Sequence, residues 1–90
     1  MARRWITFQY EGQAGQNVAV AGTFNDWDVS KNPLRTNNGH GIYRTRIRLE
    51  PGTHEYKFVV DGKWILDPDN ENWEENEYGT GNSVLWFEKP

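Results

Sequence analysis

The run His54-Glu55-Tyr56-Lys57-Phe58-Val59-Val60-Asp61-Gly62-Lys63-Trp64-Ile65 constrains this chain more than any other segment. Two stretches of strand-forming residues are joined by Asp-Gly, the pair that suits a two-residue hairpin turn in which both positions take positive φ. Such a turn pairs Val60 with Lys63, Val59 with Trp64, Phe58 with Ile65 and Lys57 with Leu66. Paired residues point to one side of a sheet, and successive residues to opposite sides. Tyr56, Phe58 and Ile65 are therefore expected on a core-facing side, and Lys57, Val59 and Trp64 on the wetter one. A tryptophan beside a lysine on that face reads in two ways. It is either an aromatic platform with a hydrogen-bond donor for a ligand, or a ring covered by a neighbouring loop.

Ninety residues give one domain and no room for a second core. Five Trp, four Tyr and four Phe supply large apolar side chains for a core of that size. There is no cysteine, which excludes disulfide staples and thiolate metal sites. Two histidines, His40 and His54, cannot hold zinc without carboxylate help. A formal net charge of −3 argues against non-specific binding to nucleic acid or an anionic membrane. Arg3-Arg4 is followed by Trp-Ile-Thr-Phe-Gln-Tyr-Glu rather than an apolar run, so no signal peptide is expected. No stretch is long and apolar enough to span a bilayer. The expectation is a soluble, cytoplasmic protein.

Residues 5–10 form a β-rich run, and Gly12 to Gly15 a turn. Residues 17–23 follow with Val18 and Val20 on one face, ending at Gly22. Phe24-Asn25-Asp26-Trp27-Asp28 breaks the strand, and residues 31–41 are expected as a long polar loop holding Pro33 and Gly39. Tyr43, Thr45, Ile47 and Leu49 alternate with Arg44, Arg46 and Arg48, the pattern of a half-buried strand. Pro51-Gly52 turns the chain into the hairpin. Residues 69–81 are acidic and asparagine-rich, expected as irregular chain with one helical turn around Trp73. Residues 83–88 form the last strand. No segment carries a 3.6-residue apolar period, so the chain is expected to be an antiparallel sandwich or small barrel.

Most charged clusters read as ordinary surface. The arginines at 44, 46 and 48 could touch phosphate, but nearby Glu50 and Glu55 make a solvated strand face the simpler expectation. An EF-hand loop begun at Asp67 would need Gly at 72 and Glu at 78, and the chain has Asn72 and Tyr78. A glycosidase carboxylate pair needs fixed separation and a cleft that raises one pKa, which solvated loop carboxylates do not supply. No nucleophile–base set is evident, so no catalytic residue, metal or cofactor is assigned. Trp5 and Trp86, in terminal strands, are expected to pack in the core or between sheets. Trp27 lies in a turn between Asp26 and Asp28, where a core role is less natural. Rigid rings beside Lys and Asn side chains suit a sugar, whose C–H face lies on the ring while its hydroxyls take hydrogen bonds. Bases stack on aromatic rings as well.

Val-Ala-Gly-Thr-Phe-Asn-Asp-Trp at residues 20–27, Pro-Gly-Thr-His-Glu-Tyr-Lys-Phe-Val-Val-Asp-Gly-Lys-Trp at 51–64, Asp67-Pro68, and Tyr-Gly-Thr-Gly-Asn-Ser-Val-Leu at 78–85 resemble carbohydrate-binding module family 48. That family comprises the glycogen-binding domains of AMP-activated protein kinase β subunits and the early-set domains of isoamylases and branching enzymes. The resemblance covers nearly the whole chain, in order. It implies an all-β, immunoglobulin-like antiparallel β-sandwich of the early-set type, one module over residues 1–90. It also implies non-catalytic binding of α-1,4-linked glucans: glycogen, starch, maltooligosaccharides or cyclodextrin. By the same resemblance the carbohydrate-binding residues are Trp27, Lys57, Trp64, Tyr78, Thr80 and Asn82. Two departures stand out: Tyr78 where the kinase-subunit members usually carry an aliphatic residue, and the acidic stretch at 70–76 with Trp73, for which packing is the expected role.

Three functions follow for test. The first is an α-glucan-binding module that places a partner enzyme on its polymer. The second is a protein-interaction or scaffold domain of the same fold, associated with a family 13 glycoside hydrolase or a kinase complex, without sugar binding. The third, a single-strand nucleic-acid binder, is disfavoured by the acidic charge.

Overall fold

The computed structural model describes residues 3–36 and 39–88; residues 37 and 38 of the expected polar loop lie outside them. Eight strands and one 3₁₀ turn follow in order: β1 (Arg4–Glu11), β2 (Val18–Gly22), the 3₁₀ turn (Thr23–Asn25), β3 (Pro33–Leu34), β4 (Ile42–Leu49), β5 (Gly52–Val60), β6 (Lys63–Ile65), β7 (Trp73–Glu75) and β8 (Gly81–Phe87). They form an antiparallel sandwich. One layer is the β1–β4 pair. The other runs β3-β2-β5-β8-β7, with β6 also paired to β5. A bridge between Arg35 and Arg44, with mutual backbone hydrogen bonds of 2.9 and 2.8 Å, links the layers at one edge.

The hairpin forms in the expected register: Val60 opposite Lys63, Val59 opposite Trp64, Phe58 opposite Ile65. Asp61 and Gly62 take φ of 49° and 84°, so both turn positions are left-handed, as a type I′ turn requires. The Asp61 carboxylate accepts a 2.9 Å hydrogen bond from the Asn17 amide, which ties the turn to the start of β2.

β5 is the centre of the larger sheet. Its Tyr56–Val60 half pairs on one side with β2. On the other side β8 pairs with Gly52–Tyr56 and β6 with Phe58–Val60, so β8 and β6 share one flank in tandem, with Lys57 at the gap. Phe58 and Val20 are completely buried. They meet Phe8, Tyr43 and Leu49 of the facing layer in one cluster. Aromatic rings join the layers: Phe8 meets Tyr56 edge-on at 5.0 Å, and Tyr10 lies 5.5 Å from Phe58.

Three expectations are corrected. The stretch at 31–41 is not all loop, because Pro33–Leu34 pairs with β2 and Leu34 is buried in the core. Trp73 starts a strand rather than a helical turn: β7 pairs with β8, Trp73 opposite Ser83, so the segment's backbone donors and acceptors meet a sheet edge. Trp5 and Trp86 are 56% and 60% exposed. Each is out of phase with its strand's core residues, Phe8 in β1 and Phe87 in β8. The arginine stripe is solvated, as expected, but its partners differ. Arg44 donates to Gln9 Oε1 at 2.7 Å, Arg46 lies over the Trp5 ring at 4.7 Å, and Glu50 pairs instead with Arg3.

Tyr56 carries a polar link through this apolar interior. Its hydroxyl donates to Asp67 Oδ2 at 2.7 Å and accepts from Asn70 Nδ2 at 3.1 Å. Burial first, and then the bond to Asp67, push the hydroxyl well above the ordinary tyrosine range. An unfolded tyrosine ionises near pH ~10 while the folded one stays neutral, so above that pH the unfolded state has lost a proton the native state keeps. This contribution is intact below about pH 10 and declines as pH rises beyond it. Thermal melts from neutral to alkaline pH should therefore fall more steeply for the native chain than for Tyr56→Phe; equal slopes would contradict the assignment. Phe58→Ala opens a cavity in the fully buried centre and should cost about 3–5 kcal/mol in a denaturant titration.

Candidate functional site

The alternation that buries Phe58 turns Lys57 and Val59 to the opposite face, and β6 places Trp64 beside Val59 there. Val59 is buried outside the core cluster, whereas Trp64 keeps 46% of its surface in water. The ring is therefore exposed and not covered by a neighbouring loop.

Trp27 reaches the same face from the turn after β2. Gly22 ends that strand; a Cβ there would collide with the Glu55 carbonyl oxygen and the Phe24 ring. The buried Asn25 side chain holds the turn. Its Oδ1 accepts from the Gly22 amide at 2.9 Å, and its Nδ2 donates to the Val20 carbonyl at 3.0 Å and to Asn32 Oδ1 at 2.7 Å. Asp26 and Trp27 then take φ of 57° and 58°. Left-handed backbone at a non-glycine residue costs about 1–3 kcal/mol, so two in succession mark a turn shaped for something other than stability. The Trp27 amide closes it on the Gly22 carbonyl at 3.0 Å. Just beyond, hydrogen bonds from the Ser30 hydroxyl and amide hold the Asp28 carboxyl below its usual pKa. The result is a pair of indoles with ring centres 6.4 Å apart and planes inclined by 40°, a bent platform.

The third wall is the loop before β8. Asn76 was not among the residues expected here, yet it organises the loop. Its Oδ1 accepts from the amides of Tyr78 and Thr80 at 2.9 and 3.1 Å. Its Nδ2 donates to Thr80 Oγ1 at 2.7 Å and Asn82 Oδ1 at 3.1 Å. Asn82 Nδ2 in turn donates to Glu55 Oε1 at 3.0 Å, and Lys57 Nζ lies 3.4 Å from Thr80 Oγ1. The available signal was the Asn76–Gly79 spacing, since an asparagine capping backbone amides two residues on is a common turn device.

Trp27, Lys57, Trp64, Tyr78, Thr80 and Asn82 thus line one groove of about 660 Å³, together with Asn76 and Glu77. Tyr78 stands at its rim, 82% exposed. The internal hydrogen bonds leave outward capacity: Lys57 retains donors, Thr80 its hydroxyl proton, and Asn82 one amide hydrogen. Flat apolar rings on one side and fixed, unspent polar groups on the other can hold a ring-shaped ligand with an apolar face and a hydroxylated edge. Among the described residues, no His, Cys, Asp or Glu side chains cluster in the arrangement of a metal site. No described helix is long and apolar enough to cross a membrane.

Residues 5–90 match the family described as the glycogen recognition site of AMP-activated protein kinase. The chain belongs to that family. Among its relatives are the AMP-activated protein kinase β-1 subunits of Sus scrofa and Homo sapiens, both 37% identical over 86 residues and 96% of this chain. The human β-2 subunit is 35% identical over 77 residues. The chain spans 66% of that pig β-1 sequence, 30% of human β-1 and 27% of human β-2, less than two thirds of each. Among solved structures, a maltogenic amylase from S. marinus superposes with a TM-score of 0.77 at 28% identity, over 98% of this chain and 14% of that one. The fold is the immunoglobulin-like early-set sandwich.

If Asn76 organises the loop, Asn76→Ala should raise hydrogen exchange at the Thr80 amide by roughly tenfold, the loss of about one net hydrogen bond. Exchange at Phe58 should not change. Unaltered protection at Thr80 would show that the loop is held by other contacts.

Proposed function

We propose that this chain is a non-catalytic α-glucan-binding module, working in the cytoplasm to hold a partner enzyme against glycogen, starch or a related polymer. The observation that carries the reading is the bent Trp27–Trp64 pair with Lys57, Thr80 and Asn82 beside it. Two inclined rings suit the curve of an α-1,4 chain better than the flat ribbon of a β-1,4 chain. Family membership supports the same substrate class, and the amylase neighbour acts in the same broad chemistry by its name. A chain without cysteine needs no oxidising compartment to fold, which is in keeping with the cytoplasm.

Magnitudes bound the affinity. Stacking one glucose on an indole removes ~100 Å² of apolar surface, or about 2–3 kcal/mol before costs. Water competes well for sugar hydroxyls, so each hydrogen bond nets only about 1 kcal/mol. Against these stands the lost freedom of the sugar. A Kd of roughly 10 μM to 1 mM follows.

Calorimetric titration tests this directly. Maltoheptaose and β-cyclodextrin should bind in that range and cellohexaose should not. Trp64→Ala should weaken binding by at least ~10-fold, because it deletes a stacking surface that smaller contacts cannot replace. Its melting temperature should stay near that of the native chain, since the ring is half exposed. Equal binding of maltoheptaose and cellohexaose would reduce the site to generic stacking. No binding of either would favour the scaffold function, and displacement by a single-stranded oligonucleotide would favour nucleic acid.

A further inference from the structure

Trp86 is a large apolar side chain that neither the core nor the Trp27–Trp64 platform uses. In β8, Ser83 and Phe87 are buried toward the core, while Trp86 is 60% exposed on the opposite face. That is the face that carries Lys57. Trp86 lies opposite Thr53, Val84 opposite Glu55, and Asn82 opposite Glu74. A second groove of about 460 Å³ opens there, lined by Glu71, Asn72, Trp73, Glu74, Val84 and Trp86. The two grooves meet at one cross-strand pair: Asn82 lines the first and its partner Glu74 the second.

The composition narrows the ligand. Among the described residues this groove is lined by two carboxylates, Glu71 and Glu74, and by no lysine or arginine, so it suits a hydroxylated ligand better than a phosphate-bearing one. What it offers is indole surface, carboxylate acceptors and a carboxamide: stacking plus hydroxyl recognition, as in the first groove. Register sets the separation. Trp64 is level with Val59 and Trp86 with Thr53. Six residues of strand place the two rings' backbone positions about 20 Å apart. A short oligosaccharide on the platform cannot reach Trp86, but another segment of the same polymer can.

We propose that Trp86, with Glu74 and Asn72, is a second α-glucan contact that engages polymer held at the platform. This rests on the glucan reading of the platform and adds to it a preference for polymer over short chains. Once the first groove is filled, the second binding event is intramolecular, so a weak contact gains from a high effective concentration.

The test uses the full chain with two probes, maltotetraose and glycogen, on Trp86→Ala, Trp86→Tyr and Trp64→Ala. Trp86→Ala should leave the maltotetraose Kd within about twofold while weakening glycogen binding by at least ~10-fold. Trp86→Tyr, which keeps a stacking ring, should recover most of that loss. Trp64→Ala should weaken both probes. Thermal melts of the Trp86 variants should match the native chain, because the side chain is largely outside the core. If Trp86→Ala binds glycogen like the native chain, the second contact is overturned while the platform stands. If it weakens both probes equally, Trp86 acts through the platform's structure and the proposal is also overturned. If the native chain binds neither probe, the platform reading fails and takes this one with it.

Discussion

Phe58 and Lys57 are neighbours in the chain and face opposite ways, and the molecule is organised around that alternation in β5. Phe58 fills the centre of the sandwich against Val20 and against Phe8 and Tyr10 of β1. Lys57 emerges on the far side, at the gap where β8 ends its pairing with β5 and β6 begins. Two chain reversals converge there, the turn after β2 and the loop before β8, and the hairpin brings Trp64 of β6 alongside them. The core therefore positions the groove. A one-residue slip of β5 would send Phe58 to water and Lys57 inward, so the register is strongly held by burial.

Converging loops need internal fixing, because a loop that orders only on binding loses affinity to entropy. Two asparagines supply it by different routes. Asn25 is buried, and its side chain replaces the missing partners of a strand end and a 3₁₀ turn. Asn76 caps two amides of its own loop and passes the connection on to Thr80, Asn82 and, through Asn82, Glu55. Both leave the ligand-facing capacity of the groove unspent. The left-handed Asp26 and Trp27 show the cost of aiming an indole from so short a turn.

Much of this was legible in the sequence where the signal was local. Asp61-Gly62 and the alternation around it specify turn type, register and faces within a dozen residues, and the structure follows them. β3 and β7 were not legible, because Pro33–Leu34 and Trp73–Glu75 are very short strands with poor intrinsic β patterns. They exist because the edges of β2 and β8 supply hydrogen-bond partners, which two- or three-residue segments do not announce by their own pattern. Trp5 and Trp86 were misplaced for a different reason. Their size argued for the core, but strand phase decides, and Phe8 and Phe87 had already set it. The groove-lining set was named from family resemblance, with Lys57 and Trp64 also reachable from the hairpin alone. Asn76 escaped because its signal, an asparagine three residues before Gly79, is the local chemistry of a turn and not part of the groove-lining motif.

If the two inclined indoles are where α-glucan binds, the five tryptophan indole N–H signals of a two-dimensional nitrogen–proton NMR spectrum report it residue by residue. During titration with maltoheptaose, the signals of Trp27 and Trp64 should move together along one binding curve while Trp5, on the opposite layer, stays fixed. Movement of Trp5 with Trp27 and Trp64 unmoved would place the sugar elsewhere and contradict the claim.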